Sequence, residues 1–261
     1  MQIVSAFTDI GRGHWTTNPY GVPVPSYLPR STDVYIERFE RMTTLDNSII
    51  AFVDADLIDK LPVRDNVQYH PIEPVWNSPQ YARILNEIER IHNSIPWIER
   101  FGKDPVPERW NSKYVFVNWL KTAFILESLY ELYLNTKEPI AWLDFGYFRE
   151  SPRKSFIDFT IPKDKELVFF SNGKTIQEIE NASVHEAIMS GEVFFQGCHI
   201  VGTHIGFRIL QNIILGCIDK MLKMDLVDDD QTLLLMAYRE LKPMIQVEEN
   251  SSSDWFGVFT Q

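Results

Sequence analysis

Three short apolar runs in this chain, residues 3–7, 49–53 and 140–143, each give way within two residues to an aspartate: Asp9, Asp54 and Asp144. Continuous runs of that length, rich in β-branched and aromatic residues, read as strands buried on both faces. Such strands belong to parallel sheets covered by helices, and the intervals between the runs carry helical patterns. In STDVYIERFERM a Ser/Thr/Asp start precedes Val34, Tyr35, Phe39 and Met42 at helical spacing. Residues 67–72 read as a third strand and 79–92 as a helix, with Pro96, Pro105 and Pro107 breaking the segment after it. Residues 111–135, apolar almost all round, read as one long buried helix. Residues 166–171 are another strand, and the chain from Gly191 reads as strand, glycine-rich loop and long helix. DDDQTLLLMAYREL closes the pattern with a helix whose first acids suit the positive end of its dipole. No repeat, low-complexity tract or linker interrupts this order. The expected fold is α/β: an open, mostly parallel sheet with helices on both faces, in a single domain over residues 1–261.

Composition narrows the partners. A net charge of −11 argues against nucleic acid or an anionic membrane as the main partner, because phosphate neutralisation needs clustered Lys and Arg. It leaves room for a local basic pocket. Cys198 and Cys217 are too few for a disulfide framework and lack zinc spacing, so they read as small apolar core residues of a reducing compartment. No run reaches the roughly 18 apolar residues of a membrane span, and the N-terminus lacks a basic leader. A cytoplasmic chain with at most peripheral membrane contact, at the inner face of the membrane, is the expectation.

In open α/β sheets ligands sit beyond the carboxyl ends of the strands, so an acid that ends an apolar strand lies in the crevice. Asp144 has that placement, with Asp9, Asp54 and Asp56 in comparable ones. Acids so grouped suit a divalent cation that shares its ligands with substrate phosphates; each is equally an ordinary cap for the next turn. Gly146, two residues past Asp144, leaves space for a ligand or simply makes the turn. Gly197, Gly202 and Gly206 surround Thr203 and His204 ahead of a helix, a loop able to meet an anion or a sugar hydroxyl. It lacks the order of a Walker loop or a dinucleotide fingerprint. Asp228, Asp229, Asp230 and Gln231 are denser in acid than one helix cap requires, which leaves a carboxylate as a candidate base. Arg12, between two glycines, is a candidate phosphate contact, and Lys121 within an apolar helix needs a carboxylate or a diphosphate as partner, or a route to solvent. The DFG triplet lacks every companion motif of a protein kinase, and no serine-hydrolase elbow exists.

These parts together, VSAFTDIGRGHW, YIERFERMTTLDNSIIAFVD, KYVFVNWLKTAFI, IAWLDFGYFR, VGTHIGF and DDDQ, resemble the HtrL/YibB (WlaTC/HtrL) family of bacterial glycosyltransferases of the GT-A type, associated with surface-polysaccharide loci. The resemblance runs over most of the chain. It implies a GT-A-like sheet, a nucleotide-sugar donor, UDP-linked, a glycan or glycolipid acceptor such as lipooligosaccharide or capsule, and Mn²⁺ or Mg²⁺ as cofactor. In that pattern Asp144 is the metal acid, while Gly146 stands where a second acid belongs, which leaves the metal one acid short or moves a ligand role elsewhere. Asp9, Arg12, Asp54, Lys121, Asp144 and Gly146 are then donor-side residues of a half spanning about 1–150. Gly202, Thr203, His204, Asp228, Gln231 and Trp255 fall on the acceptor side, about 151–261, with Asp229 or Asp230 as catalytic base if the reaction inverts the anomeric centre and as an acid that only orients sugars if it retains. Asp254 or Trp255 would serve as a lid or an aromatic platform for a sugar ring. The alternatives are a non-catalytic nucleotide- or carbohydrate-binding relative, and a metal-dependent phosphoester hydrolase built on the strand-end acids.

Overall fold

The computed structural model describes residues 1–131, 138–251 and 254–260. Its first half contains β1 (Gln2–Phe7), α1 (Thr32–Met42), β2 (Ile49–Val53), β3 (Val67–Pro71), α2 (Glu73–Trp76), α3 (Pro79–His92), α4 (Ile95–Phe101), α5 (Ser112–Trp119), α6 (Lys121–Glu131) and β4 (Ile140–Leu143). Its second half contains β5 (Leu167–Phe170), α7 (Ile176–Asn181), α8 (Val184–Ser190), β6 (His199–Gly202), α9 (His204–Lys223), α10 (Asp230–Leu241) and β7 (Ile245–Glu248). The described strands form one seven-stranded sheet in the order β3-β2-β1-β4-β6-β5-β7.

β1 pairs in parallel with β2 on one side and β4 on the other, so the strand order reverses beside β1. A crevice opens at that point, beyond the carboxyl ends of the strands. Both faces of the sheet are covered, which is why the strands read as unbroken apolar runs. Val4, Ala6, Ile50, Phe52, Ile140 and Trp142 turn to a core shared with α3, α5, α6, α9 and α10. Their neighbours Ile3, Phe7, Ile49, Ala51, Val53, Ala141 and Leu143 turn to a second core with Phe39 and Met42 of α1 and Phe259 near the C-terminus.

The structure departs from the sequence reading in three places. The helix expected over 111–135 is two helices meeting at Leu120, whose φ and ψ of −88° and 0° break the regular turn; residues 132–135 lie outside the described residues. An apolar pattern on every side of a helix marks no such break. The strand expected after Gly191 is His199–Gly202, and it runs antiparallel to both β4 and β5. A closing strand, β7, pairs in parallel with β5; its alternating burial matches the Ile-Gln-Val-Glu alternation at 245–248.

Candidate functional site

Asp144 follows β4 directly and keeps the ladder going, its amide donating to the Cys198 carbonyl at 2.9 Å. Its Oδ1 accepts from the Trp142 indole at 2.8 Å and lies 3.1 Å from Lys121 Nζ. The same ammonium reaches Asp230 Oδ2 and the Gly197 carbonyl, each at 2.9 Å. Lys121 sits on the first turn of α6, 5% exposed, and the sequence's demand for a partner is met three times over: one acceptor for each of its three N–H groups. Burial pulls the Lys121 pKa down, but Asp144 and Asp230 outweigh it and hold the side chain protonated. Gly197 is required at this point, because a Cβ there would lie 2.0 Å from Asp230 Oδ2. Asp144 keeps about a third of its side chain exposed, so it faces the cleft as well as the lysine.

The acidic cluster at the start of α10 divides its labour. Asp228 lies 3.4 Å from Arg109 and accepts from the Thr232 hydroxyl at 2.7 Å, which makes it part of the core. Asp229 is the helix cap, Oδ1 accepting from the Gln231 amide at 3.0 Å, and it lines the cleft with Asp230, Gln231 and Trp255. Burial first, then the charges of Asp228, Asp230 and Glu108, push the Asp229 carboxyl well above the ordinary carboxylate range. Burial likewise raises Asp230, with Lys121 opposing the shift.

Across the cleft, Asp9 and Asp54 hold their own loops. The Asp9 amide donates to Asp54 Oδ2 at 2.7 Å, and the Asp9 carboxylate accepts from the Gly11 amide at 2.8 Å and the Thr32 hydroxyl at 2.7 Å. Asp9 nevertheless lines the cleft, whereas Asp54 stands behind it. Arg12 donates to the Leu28 carbonyl at 2.6 Å and the Tyr35 hydroxyl at 2.7 Å, and its guanidinium faces the rings of Trp15, Tyr35 and Tyr114. Gly146 faces the same wall: a Cβ there would meet the Tyr35 ring at 3.0 Å. A side chain at position 146 fits only if the Tyr35 ring gives way by a few tenths of an ångström.

The glycine-rich loop is elsewhere. Because β6 runs against β4, Gly202 pairs with Ile140 at the start of β4, and only the other end of β6, at Gly197 and Cys198, reaches Asp144. Gly202, Thr203 and His204 therefore sit at the opposite edge of the sheet from the crevice. Thr203 caps α9 through the Gly206 amide and bonds Glu166, and Gly206 packs so closely on the Glu166 carbonyl that a Cβ would lie 2.4 Å from it. That loop joins β6 to α9; it does not meet the Asp144 cleft.

The sequence reading missed Arg30, Arg38 and Arg149. Arg30 lines the cleft from Asp9 through Asp144 to Trp255. Arg38 stands beside Gly146, its Cδ 3.7 Å from where a Cβ would be, and Arg149 lies 3.9 Å over the Phe256 ring. No local motif marks these residues; the fold collects them. Among the described residues no group of three or more His, Cys, Asp or Glu side chains converges as a metal site. No described helix is long and apolar enough to cross a membrane.

The sheet and its charged crevice define an open-sheet α/β protein with a ligand site at the carboxyl edge of its strands. By sequence the chain belongs to the HtrL_YibB family, described as a bacterial protein of unknown function, whose profile matches residues 1–261. It is similar to Protein HtrL of Escherichia coli (strain K12), at 26% identity over 261 residues, covering 98% of this chain and 90% of the relative. Among solved structures it is similar to mouse xyloside xylosyltransferase 1 in its apo form, with a TM-score of 0.41 and 8% identity over 95% of this chain and 84% of that one. So loose a likeness bears no argument about activity.

Proposed function

We propose that this chain is a glycosyltransferase that moves a hexose from a nucleotide sugar, UDP-linked, to a surface glycan or glycolipid, working at the cytoplasmic face of the membrane. One observation supports this above the others: a strand-end carboxylate, a cation locked by three acceptors, and a cleft-lining carboxylate of raised pKa share one crevice. Glycosyl transfer needs a carboxylate to position the donor, here fixed by that locked lysine, a base, and a cation for the leaving group. The bond from the anomeric carbon to the diphosphate oxygen breaks, the acceptor oxygen bonds that carbon, and the acceptor's proton must go to a base. Charge developing on the leaving diphosphate is stabilised by fixed cations, the role given to Arg12 with its guanidinium already oriented by Leu28 and Tyr35. Asp229 is assigned as the base, since a carboxyl of raised pKa is better matched to a hydroxyl proton than an ordinary one. Asp230 is assigned to hold Lys121, and Asp144 to accept from a donor-sugar hydroxyl. The donor half, about residues 1–150, supplies Asp9, Arg12, Lys121, Asp144 and Gly146; the acceptor half supplies Asp229, Asp230, Gln231 and the Trp255 platform.

A non-catalytic sugar-nucleotide binder is the second reading, favoured by Gly146 in place of a second acid. The phosphoester hydrolase finds less support, since Asp9 and Asp54 are engaged with neighbouring backbone. Incubation of purified protein with a panel of UDP- and GDP-sugars separates the readings. Donor turnover lost in Asp229→Asn is the expected result; tight binding without turnover points to the binder, and phosphate release from simple esters to the hydrolase.

A further inference from the structure

The site's cations do not match a protein that borrows its positive charge from a metal. Asp144, the acid which the family resemblance assigns to a divalent ion, already has an ammonium at 3.1 Å and an indole N–H at 2.8 Å on Oδ1. The position two residues on is a glycine pressed against Tyr35, and no described group of three ligating side chains lies nearby. These residues do not fit a metal held in the usual way by two acids.

The same wall instead carries an excess of guanidinium. Arg12 and Arg30 line the crevice with Gly146, Arg38 stands beside that glycine, and Arg149 lines the adjoining groove with Arg30, in a chain whose net charge is −11. Among the described residues none of the four is ion-paired; the nearby acid Glu37 pairs with Arg41 instead. Burial lowers the pKa of Arg38 and of Arg149, and neighbouring arginines lower both further, against a smaller opposing pull of Glu37 on Arg38, so Arg30, Arg38 and Arg149 repel one another as they stand. Unpaired like charges pressed together carry a cost that a bound polyanion removes. Arg12 and Arg149 are also held in place, one by Leu28 and Tyr35, the other on the Phe256 ring, so little side-chain freedom remains to lose on binding. Guanidinium forks suit phosphate oxygens, which they bind in pairs.

We infer that this cluster is the diphosphate site of the cleft: Arg12, Arg30, Arg38 and Arg149 bind the two phosphates directly, Lys121 holds Asp144 in place of a metal, and the nucleoside diphosphate is bound without a divalent cation. The inference rests on the transferase reading for its ligand, and on the arginines alone for its chemistry. The inorganic probe is therefore pyrophosphate and the organic one UDP, each titrated calorimetrically against the full chain in EDTA and again with excess Mn²⁺. Both probes bind in EDTA, Mn²⁺ adds less than about twofold to affinity, and added salt weakens binding. Arg38→Gln and Arg149→Gln each weaken pyrophosphate by about tenfold or more, the worth of one charged hydrogen bond. Arg149→Lys, which keeps the charge but not the paired fork, weakens pyrophosphate less than Arg149→Gln does, and ligand-free melting curves report that each variant is folded. Binding of UDP only with Mn²⁺, or unchanged binding in both Gln variants, overturns the inference and leaves the transferase standing. Pyrophosphate bound in EDTA while UDP is refused sinks the transferase and keeps the anion site. Failure of both probes under both conditions removes the two together.

Discussion

Lys121→Met takes away the one ammonium that Asp144, Asp230 and the Gly197 carbonyl share. Asp230 is 7% exposed, so its charge cannot turn to water once the partner is gone. Breaking a buried pair from one side costs about 3–5 kcal/mol. For 261 residues at about 2.1 cal/mol/K of unfolding entropy each, 1 kcal/mol moves the melting temperature by about 2 °C, which predicts a fall of about 5–10 °C. The loss depends on pH in a fixed direction. Without the lysine the Asp230 carboxyl, already raised by burial, rises further. A carboxyl whose folded pKa exceeds its unfolded one contributes stability below the unfolded pKa and loses it as pH rises through the folded value. The deficit is therefore largest near neutrality and shrinks on acidification. Adding Asp230→Asn to Lys121→Met removes the orphaned charge and returns most of the lost stability. Calorimetric melts at pH 5 and pH 7.5 decide the matter. A fall below about 1 kcal/mol, equal at both pH values, is the signature of a solvent-exposed pair and would refute the reading of Lys121 as locked.

Three further outcomes are expected. Asp229→Asn lowers the transfer rate by about 100-fold or more while UDP affinity measured by calorimetry stays within about twofold, and in the wild type the rate rises with pH through an inflection above the ordinary carboxylate range. Gly197→Ala forces a Cβ onto the Asp230 carboxylate and lowers stability by about 1–3 kcal/mol in a urea titration, with the loss largely absent when Lys121→Met is already present. Burial, with Lys121 nearby, holds the His199 pKa down at about 3, so its ring proton shifts stay constant in NMR from pH 7.5 to pH 5. Because the unfolded chain binds that proton near pH 6.5 and the folded chain does not, stability falls as pH drops through this window.

Much of the scaffold was legible. The strand at 49–53 and the helix at 79–92 coincide with β2 and α3, because burial on both faces and a one-sided stripe leave distinct periods in a sequence. Asp144 was readable for the same reason: an acid that ends a doubly buried strand paired in parallel with β1 stands in the crevice by geometry. Lys121 could be seen to need partners, though not which ones. Strand direction left no such trace. Gly202, Thr203 and His204 look like a ligand loop in one dimension, and only the antiparallel course of β6 sends them to the far edge. The arginine wall was invisible for a different reason, since Arg12, Arg30, Arg38 and Arg149 come from separate segments and no local pattern links them. The splitting of Asp228, Asp229 and Asp230 into core, cap and lysine partner likewise depends on Arg109 and Lys121, more than a hundred residues earlier.

The reversed course of β6 also separates the molecule's tasks in a way that genetics can read. Residues at one rim of the sheet, Asp144 and Asp229, meet whatever occupies the crevice, while Glu166, Thr203 and Gly206 at the other rim only fasten β5, β6 and α9 together. A saturation library scored once for protein abundance and once for the proposed transfer should split along that line: lesions at the second rim deplete the protein, and lesions at the first leave abundant protein that has lost the transfer.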